Sequence, residues 1–422
     1  MGEMQGKQVE LEITGVAHGG IFIARYDGRV VFVSDAIPGE TVIAEITNDG
    51  KKSFWRADTV GVVTRSEHRR AHAWAEASLA EKPENRAGGA EFGHIELSHQ
   101  RELKRQVIED SLSRMAKLQL SVTVEALPSG LSLTPAPDVD GTGWRTRNRL
   151  HVAEDGTTGP FAARSHRVIP VLALPLATPE AQKLAPLSKK FVGADAIDVI
   201  APSASAPYLL VHEKEGTNRP KVEVITEIVG EREFHLDARG FWQVHRHGAQ
   251  TLTTAVQEAI DESRFEMAAA NLDLYGGVGL LAAAVGDRFG PGLKITSVES
   301  NSIATDHAAA NLVDWAGAAA VTARVDRYLR QLKTTAGKAE RARLSAATVV
   351  LDPPRSGAGA EVVTELAALA PAQIVYVACD PVALARDVGL LAGHGYELVR
   401  LRAFDLFPNT HHVETIATLI RT

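Results

Sequence analysis

The chain has 422 residues, 45% of them hydrophobic and 23% charged, the composition of an ordinary globular protein of two or three domains rather than a fibrous or wholly disordered one. Its net charge of −7 gives no support to general nucleic-acid affinity, so a phosphate-binding surface would have to be a local patch. The single cysteine, Cys379, cannot form an intrachain disulfide, a CxxC zinc site or a four-thiolate iron–sulfur cluster.

No uncharged apolar stretch approaches the roughly 20 residues of a membrane helix; the run from Ile169 to Ala177 is typical. The opening MGEMQGKQVELE lacks the apolar core of a secretory signal, so a cytoplasmic location is expected.

Residues 8 to about 65 read as five short strands: VELEITG, GIFIARYDG, RVVFVSDA, GETVIAEI and FWRADTVGVV. Asp27-Gly28 and Asn48-Asp49-Gly50 separate two of the pairs as hairpin turns. Five strands without a helix suggest a small closed barrel of the oligonucleotide-binding type, with any other small β-domain as the alternative. Nine Lys/Arg stand against ten Asp/Glu in residues 1–70, so this segment is near charge balance.

Ser66 to about Gly93 is polar and rich in Ala, Glu and Gly, and reads as loop. From Leu97 to Leu118 the spacing predicts an amphipathic helix with Leu103, Val107, Ile108, Leu112 and Met115 near one face. Residues 120–235 mix β-like runs with Pro- and Gly-containing loops such as PSGLSLTPAPDVDG, a mixed α+β region. Five arginines lie between Gly141 and Pro170 against Glu154 and Asp155. Arg145, Arg147 and Arg149 alternate and would share one face of a strand, suited either to phosphates or to solvent.

After Phe241 strands alternate with helices to the end, which predicts a doubly wound parallel sheet. A helix from His247 to Ile260 precedes the apolar strand MAAANLDLY, a Gly-rich turn and an Ala-rich helix. The strand KITSVES and the helix Ile303 to Leu312 follow.

Four segments of this half carry the chemistry. Asn271 to Gly279 runs a strand into a glycine turn, where Gly277 and Gly279 let a ligand approach the backbone at a helix start. Glu299 ends the next strand, placed to accept hydrogen bonds from ribose hydroxyls. A dinucleotide fits this turn loosely, but Asp273 and Tyr275 at the strand end weigh against a pyrophosphate. They suit a cationic ligand such as S-adenosylmethionine (SAM). In VVLDPPRS two prolines fix a rigid exit from a strand, with Asp352 at the edge where open α/β sheets bind ligands. IVYVACDP brings Cys379 to the same edge, either as a buried hydrophobe or as a reactive thiol helped by the opening of the next helix. Finally, FDLFPNTHHVE sets Glu414 at the start of the terminal strand, facing the edge cleft as an acid/base group. His411 and His412 are adjacent rather than i,i+4, so no metal site is read there.

In this order DLYGGVG, DPPRSG, YVACDP, ARD and FDLFPNTHHVE closely resemble the SAM-dependent RNA uracil-C5-methyltransferase family. FWQVH at 241–245 looks like that family's Phe-x-Gln-Val-Asn segment, and RTRNRLHV like its Arg/Lys-rich central strand. The N-terminal barrel is similar to its TRAM domain. The resemblance implies a TRAM-like OB barrel over 1–68, a central RNA-binding α+β region over 69–235, and a Rossmann-like methyltransferase domain over 236–422. The helix 97–118 is read as packing on that last domain.

It further implies Cys379 as nucleophile and Glu414 as base. Gln243, Tyr275, Glu299 and Asp352 would contact SAM or the target base, and Asp326, at the next strand end in VTARVDRYL, would approach the adenine. The thiolate would add at C6 of uracil, so that C5 becomes nucleophilic toward the methyl group. The flipped base would stack on aromatics drawn from Phe241, Trp242, Phe404 and Phe407, unless these rings are core. RNA, ribosomal or transfer, is the expected partner, no membrane is involved, and the chain is read as a monomer. An RNA-binding protein with an inactive methyltransferase fold is the competing reading.

Two departures stand out. Many family members hold an iron–sulfur cluster on four cysteines, two in a Cys-Gly-Gly-Cys unit; here that stretch is Ala87-Gly88-Gly89-Ala90, so no cluster is expected. Gly276 also stands where a cysteine is frequent in the glycine turn.

Overall fold

The computed structural model describes residues 3–127, 140–214 and 223–422. All but the last two residues of PSGLSLTPAPDVDG lie outside them. Strands β1 (Gln8–Ala17), β2 (Ile21–Tyr26), β3 (Arg29–Ser34), β4 (Thr41–Asn48) and β5 (Phe54–Thr64) close into a barrel in the order β1-β2-β3-β5-β4. Alternation along each strand sends Leu11, Ile13, Phe22, Val31 and Val42 inward. Asp27 and Gly28 both take positive φ, as a tight two-residue hairpin turn demands.

Helix α1 (Leu97–Ser111) joins two cores: Leu103 packs with the barrel, Ile108 and Leu112 with the C-terminal sheet. The regular helix stops short of the expected end. Residues Leu112–Ala116 form a π turn, which shifts the phase of the apolar stripe and leaves Met115 exposed.

The middle of the chain holds β6 (Val124–Glu125), β7 (Arg147–Val152), β8 (Thr158–Gly159), α2 (Pro179–Leu184), β9 (Ala194–Ile200) and β10 (Tyr208–Glu213). Four of these form the sheet β10-β9-β7-β8, and β11 (Val224–Val229) pairs with β12 (Arg232–Asp237) as a separate hairpin.

The C-terminal half is α3 (Gly248–Ala259), β13 (Asn271–Leu274), α4 (Leu280–Phe289), β14 (Ile295–Glu299), α5 (Ser302–Asn311), β15 (Ala318–Thr322), α6 (Val325–Thr335), α7 (Lys338–Ser345), β16 (Thr348–Leu351), α8 (Gly359–Leu369), β17 (Gln373–Ala378), α9 (Pro381–Gly393), β18 (Tyr396–Phe404) and β19 (Glu414–Arg421). They build the sheet β15-β14-β13-β16-β17-β19-β18-β6. β15 through β17 run parallel, and β19 enters antiparallel between β17 and β18. Strand order reverses at β13, whose neighbours are β14 and β16, and such a switch point opens a ligand crevice at the carboxyl ends of the strands. The strand expected over MAAANLDLY begins only at Asn271. Its side-chain amide donates to the carbonyls of Glu266 and Lys294, holding the preceding residues in a turn.

Among the described residues no helix is long and apolar enough to cross a membrane.

Candidate active site

Each strand end at the switch point supplies one polar group. Asp273 is the last residue but one of β13, Glu299 closes β14, Asp352 follows β16 and Cys379 follows β17. The antiparallel β19 returns Glu414 to the same edge: Ala378 is registered opposite Thr415, and the next step outward is Cys379 beside Glu414.

The glycine turn is shaped for a ligand. Gly277 and Gly279 take positive φ, as does Tyr275 at 63°, a conformation that costs a non-glycine residue free energy. A Cβ at Gly276 would lie 1.9 Å from the Ser297 hydroxyl oxygen, which donates to Asp273 at 2.9 Å. The glycine at 276 is therefore what the Ser297–Asp273 hydrogen bond requires. The Gly277 N–H donates to the Glu299 carboxylate at 3.3 Å. Beside them opens a cavity of about 390 Å³, lined by Gly277, Val278, Glu299, Asn301, Ile303 and Phe241. It has the size of a small-molecule site, with apolar walls for a flat ring and the carboxylates of Glu299 and Asp237 in its lining, the first placed for hydroxyl donors. That donor set fits SAM.

Carboxyls crowd the edge. Burial, and the neighbouring Glu299, push Asp273 up to about 6; burial and Asp273 push Asp352 up to about 7; burial and Asp352 hold Glu414 well above the usual carboxylate range. The same burial, with Glu414 and Asp352 nearby, pushes the Cys379 thiol up to about 12, while Arg355 pulls the other way. The helix expected to favour a thiolate does not do so here. Asp380 caps α9 itself, accepting from the amides of Val382 at 3.0 Å and Ala383 at 2.8 Å, so those donors do not face the sulfur.

Several expected site residues lie elsewhere or are otherwise engaged. Asp326 is not at a strand end: β15 stops at Thr322, and Asp326 sits in the first turn of α6, paired with Arg324 at 3.0 Å. Gln243 lies half-buried before α3, its Cβ against Gly248, and lines neither this cavity nor the one beside Cys379. Trp242, 6% exposed, packs on Phe234, and Phe404, 3% exposed, belongs to the same core, so neither ring is available to a flipped base. Phe241 is 73% exposed at the cavity mouth.

The three arginines spend much of their hydrogen bonding inside the protein. Arg145 donates to the Arg147 carbonyl, Arg147 to the carbonyls of Gly240 and Ala238, and Arg149 grips Asp198 through two bonds of 2.7 Å. The face expected to meet phosphates is thus partly neutralised.

Sequence reasoning missed the support for residues 405–409, the segment that leads into Glu414. Lys104 on α1 is fully buried and donates to Asp405 at 2.5 Å and to the Phe407 carbonyl at 3.1 Å. One helical turn earlier, Gln100 accepts from the Asn409 N–H at 2.8 Å, with Asn409 at a φ of 66°. The only signal in the sequence was a lysine and a glutamine spaced i,i+4 along the apolar stripe of an amphipathic helix.

Comparison with known proteins places this edge in a family. Residues 249–422 match the family model for tRNA (uracil-5-)-methyltransferase, and residues 2–54 match the TRAM domain. An uncharacterized RNA methyltransferase of Streptomyces avermitilis is 35% identical over 98% of both chains, and one of Bifidobacterium longum is 31% identical over 98% of this chain and 97% of its own. Among solved structures, the Pyrococcus abyssi tRNA (uracil-54, C5)-methyltransferase, in complex with S-adenosyl-L-homocysteine, superposes with a TM-score of 0.68 at 21% identity, covering 97% of this chain and 99% of that one. That likeness is one of fold. With a relative at 35% identity along nearly its whole length, the chain belongs to the RNA methyltransferases, and its residues 249–422 carry the tRNA (uracil-5-)-methyltransferase family match.

Proposed function

We propose that this protein methylates C5 of a uridine in ribosomal or transfer RNA through a covalent bond between Cys379 and C6 of the base. The observation that carries the reading is the meeting of Cys379, Glu414 and Asp352 at one sheet edge, next to the glycine-turn cavity.

Glu299 and the Gly277 amide would hold SAM in that cavity, whose lining includes neither Tyr275 nor Asp273; when bound, the cofactor supplies an electrophilic methyl group. The chain's own groups do the rest. A thiol pushed up to about 12 stays protonated at neutral pH, so its proton passes to the ionised form of the neighbouring Asp352 as the sulfur adds to C6. Addition places enolate density on C5, the atom that would accept the methyl group, with S-adenosylhomocysteine as the leaving group. Glu414, in its ionised form a far stronger base than a solvated carboxylate because of its burial, then takes the C5 proton, and the electron pair re-forms the C5–C6 double bond as the sulfur leaves. Asp352, half protonated near neutrality, donates to a ring carbonyl in its acid form. The target base leaves its stack to reach the edge, at a cost of a few kcal/mol, and Phe241 is the exposed ring at the entrance.

The test is a map of 5-methyluridine in RNA from cells with and without the protein, repeated with Cys379→Ala. Loss of one or more methyluridines in both the deletion and the variant supports the reading. Full methylation by the variant rejects Cys379 as nucleophile, and an unchanged map in the deletion rejects the activity.

A further inference from the structure

The barrel reaches the reacting sulfur's neighbour directly. His18, in the turn between β1 and β2, places Nε2 2.8 Å from Asp380 Oδ2. The other oxygen of that carboxylate caps α9 through the amides of Val382 and Ala383. Asp380 follows Cys379 in the chain, so the cap and the sulfur share one backbone turn. The same turn of the barrel touches the second arm of the edge: a Cβ on Gly20 would lie 2.9 Å from Cβ of His411, and Gly20 takes a φ of 72°. A cavity between the two bodies is lined by His18, Cys379, Asp380, Lys104, His411 and His412.

We infer that His18 is a positioning residue of the active site: by holding Asp380 it fixes the start of α9, and with it the orientation of Cys379. The barrel then serves the chemistry as a wall of the active site, in addition to any contact it makes with RNA. The geometry explains why one short side-chain contact suffices. The second oxygen of Asp380 is already committed to two amides, so a donor on the first leaves the carboxylate no freedom to rotate. The electrostatics agree. The hydrogen bond to Asp380 pushes the imidazole of His18 upward, and Asp380 is held below its usual range despite its burial. Asp380 otherwise adds to the negative charge that disfavours a thiolate at Cys379; a donor on Asp380 offsets part of that field.

This inference rests on Cys379 being the nucleophile, and the experiment separates the two. With one cysteine in the chain, the rate of alkylation by iodoacetamide across pH 7 to 10 reports on that sulfur alone, without SAM or RNA. It is measured on the full-length protein beside tritium transfer from labelled SAM to bulk RNA of cells lacking the protein. His18→Ala is expected to slow tritium transfer by about tenfold and to lower the alkylation rate by about threefold, with its pH profile moved to higher pH. His18→Gln, which keeps a donor for Asp380, should recover most of both, and both variants should melt with the parent. Equal losses in the two variants, or none in either, overturn the inference. An alkylation change without a change in transfer, with transfer surviving Cys379→Ala, would instead reject Cys379 as nucleophile.

Discussion

Cys379 and Glu414 are next-door neighbours across two antiparallel strands, one step beyond the registered pair Ala378–Thr415. The two are 35 residues apart in sequence, and the register of β17 with β19 alone sets them side by side. Their charges conflict: the carboxylate raises the thiol, and burial raises both. Two acids that disfavour each other's ionisation suit a cycle in which one gives up a proton before the other accepts one.

From this pairing, Glu414→Gln leaves addition and methyl transfer possible but removes the base for the C5 proton. Turnover is expected to fall by a factor on the order of 10² to 10⁴. Methylated RNA should accumulate on the protein as a band that survives denaturing electrophoresis. Unchanged turnover would remove Glu414 from the mechanism.

Asp352 links chemistry to stability. Its carboxyl is pushed up to about 7 when folded, against about 4 in an unfolded chain. The folded protein holds a proton there that the unfolded chain has released, so stability falls as pH rises from about 4 through about 7. Asp352→Asn removes that dependence. The variant should equal the parent near pH 4 and exceed it near pH 8 by an amount on the order of a few kcal/mol, read from urea unfolding at both pH values.

The buried pair of Lys104 and Asp405 gives a third expectation. Lys104→Met leaves the Asp405 carboxylate in the core without its main cation, costing about 3 to 5 kcal/mol. Adding Asp405→Asn should recover much of the loss by discharging the stranded group. Urea unfolding followed by tryptophan fluorescence separates the single variant from the double.

The aromatic segment 241–242 splits into two roles that one assay distinguishes. Trp242→Ala opens the core against Phe234 and should cost about 3 to 5 kcal/mol. Phe241→Ala, at an exposed position, should change stability by about 0.5 kcal/mol or less while weakening SAM binding measured by calorimetry.

What the sequence disclosed follows from periodicity and punctuation. Five alternating runs with Asp-Gly and Asn-Asp-Gly turns are enough to announce a barrel, and strand–glycine turn–helix is enough to place Gly277, Gly279 and Glu299 at one crevice. Cys379 and Asp352 were legible because prolines stop their strands at that same edge. The rest depended on distance in sequence. Nothing in the local run VAHGG distinguishes His18, whose partner lies 362 residues away, and Lys104 reads as a polar interruption of a helix until Asp405 is seen beside it. Trp242 and Phe404 misled because an aromatic in a catalytic motif serves packing as readily as stacking. Arg147 and Arg149 misled because carbonyls and Asp198 compete with phosphate for the same donors.

The central claim is a transient sulfur–carbon bond between Cys379 and the target base. RNA carrying 5-fluorouridine tests it most directly, since fluorine at C5 cannot be abstracted as a proton is and the adduct cannot resolve. With SAM present, the parent protein should form a protein–RNA band that persists through denaturing electrophoresis, and Cys379→Ala should form none. A band of equal strength from Cys379→Ala, or none from an active parent protein, would contradict it.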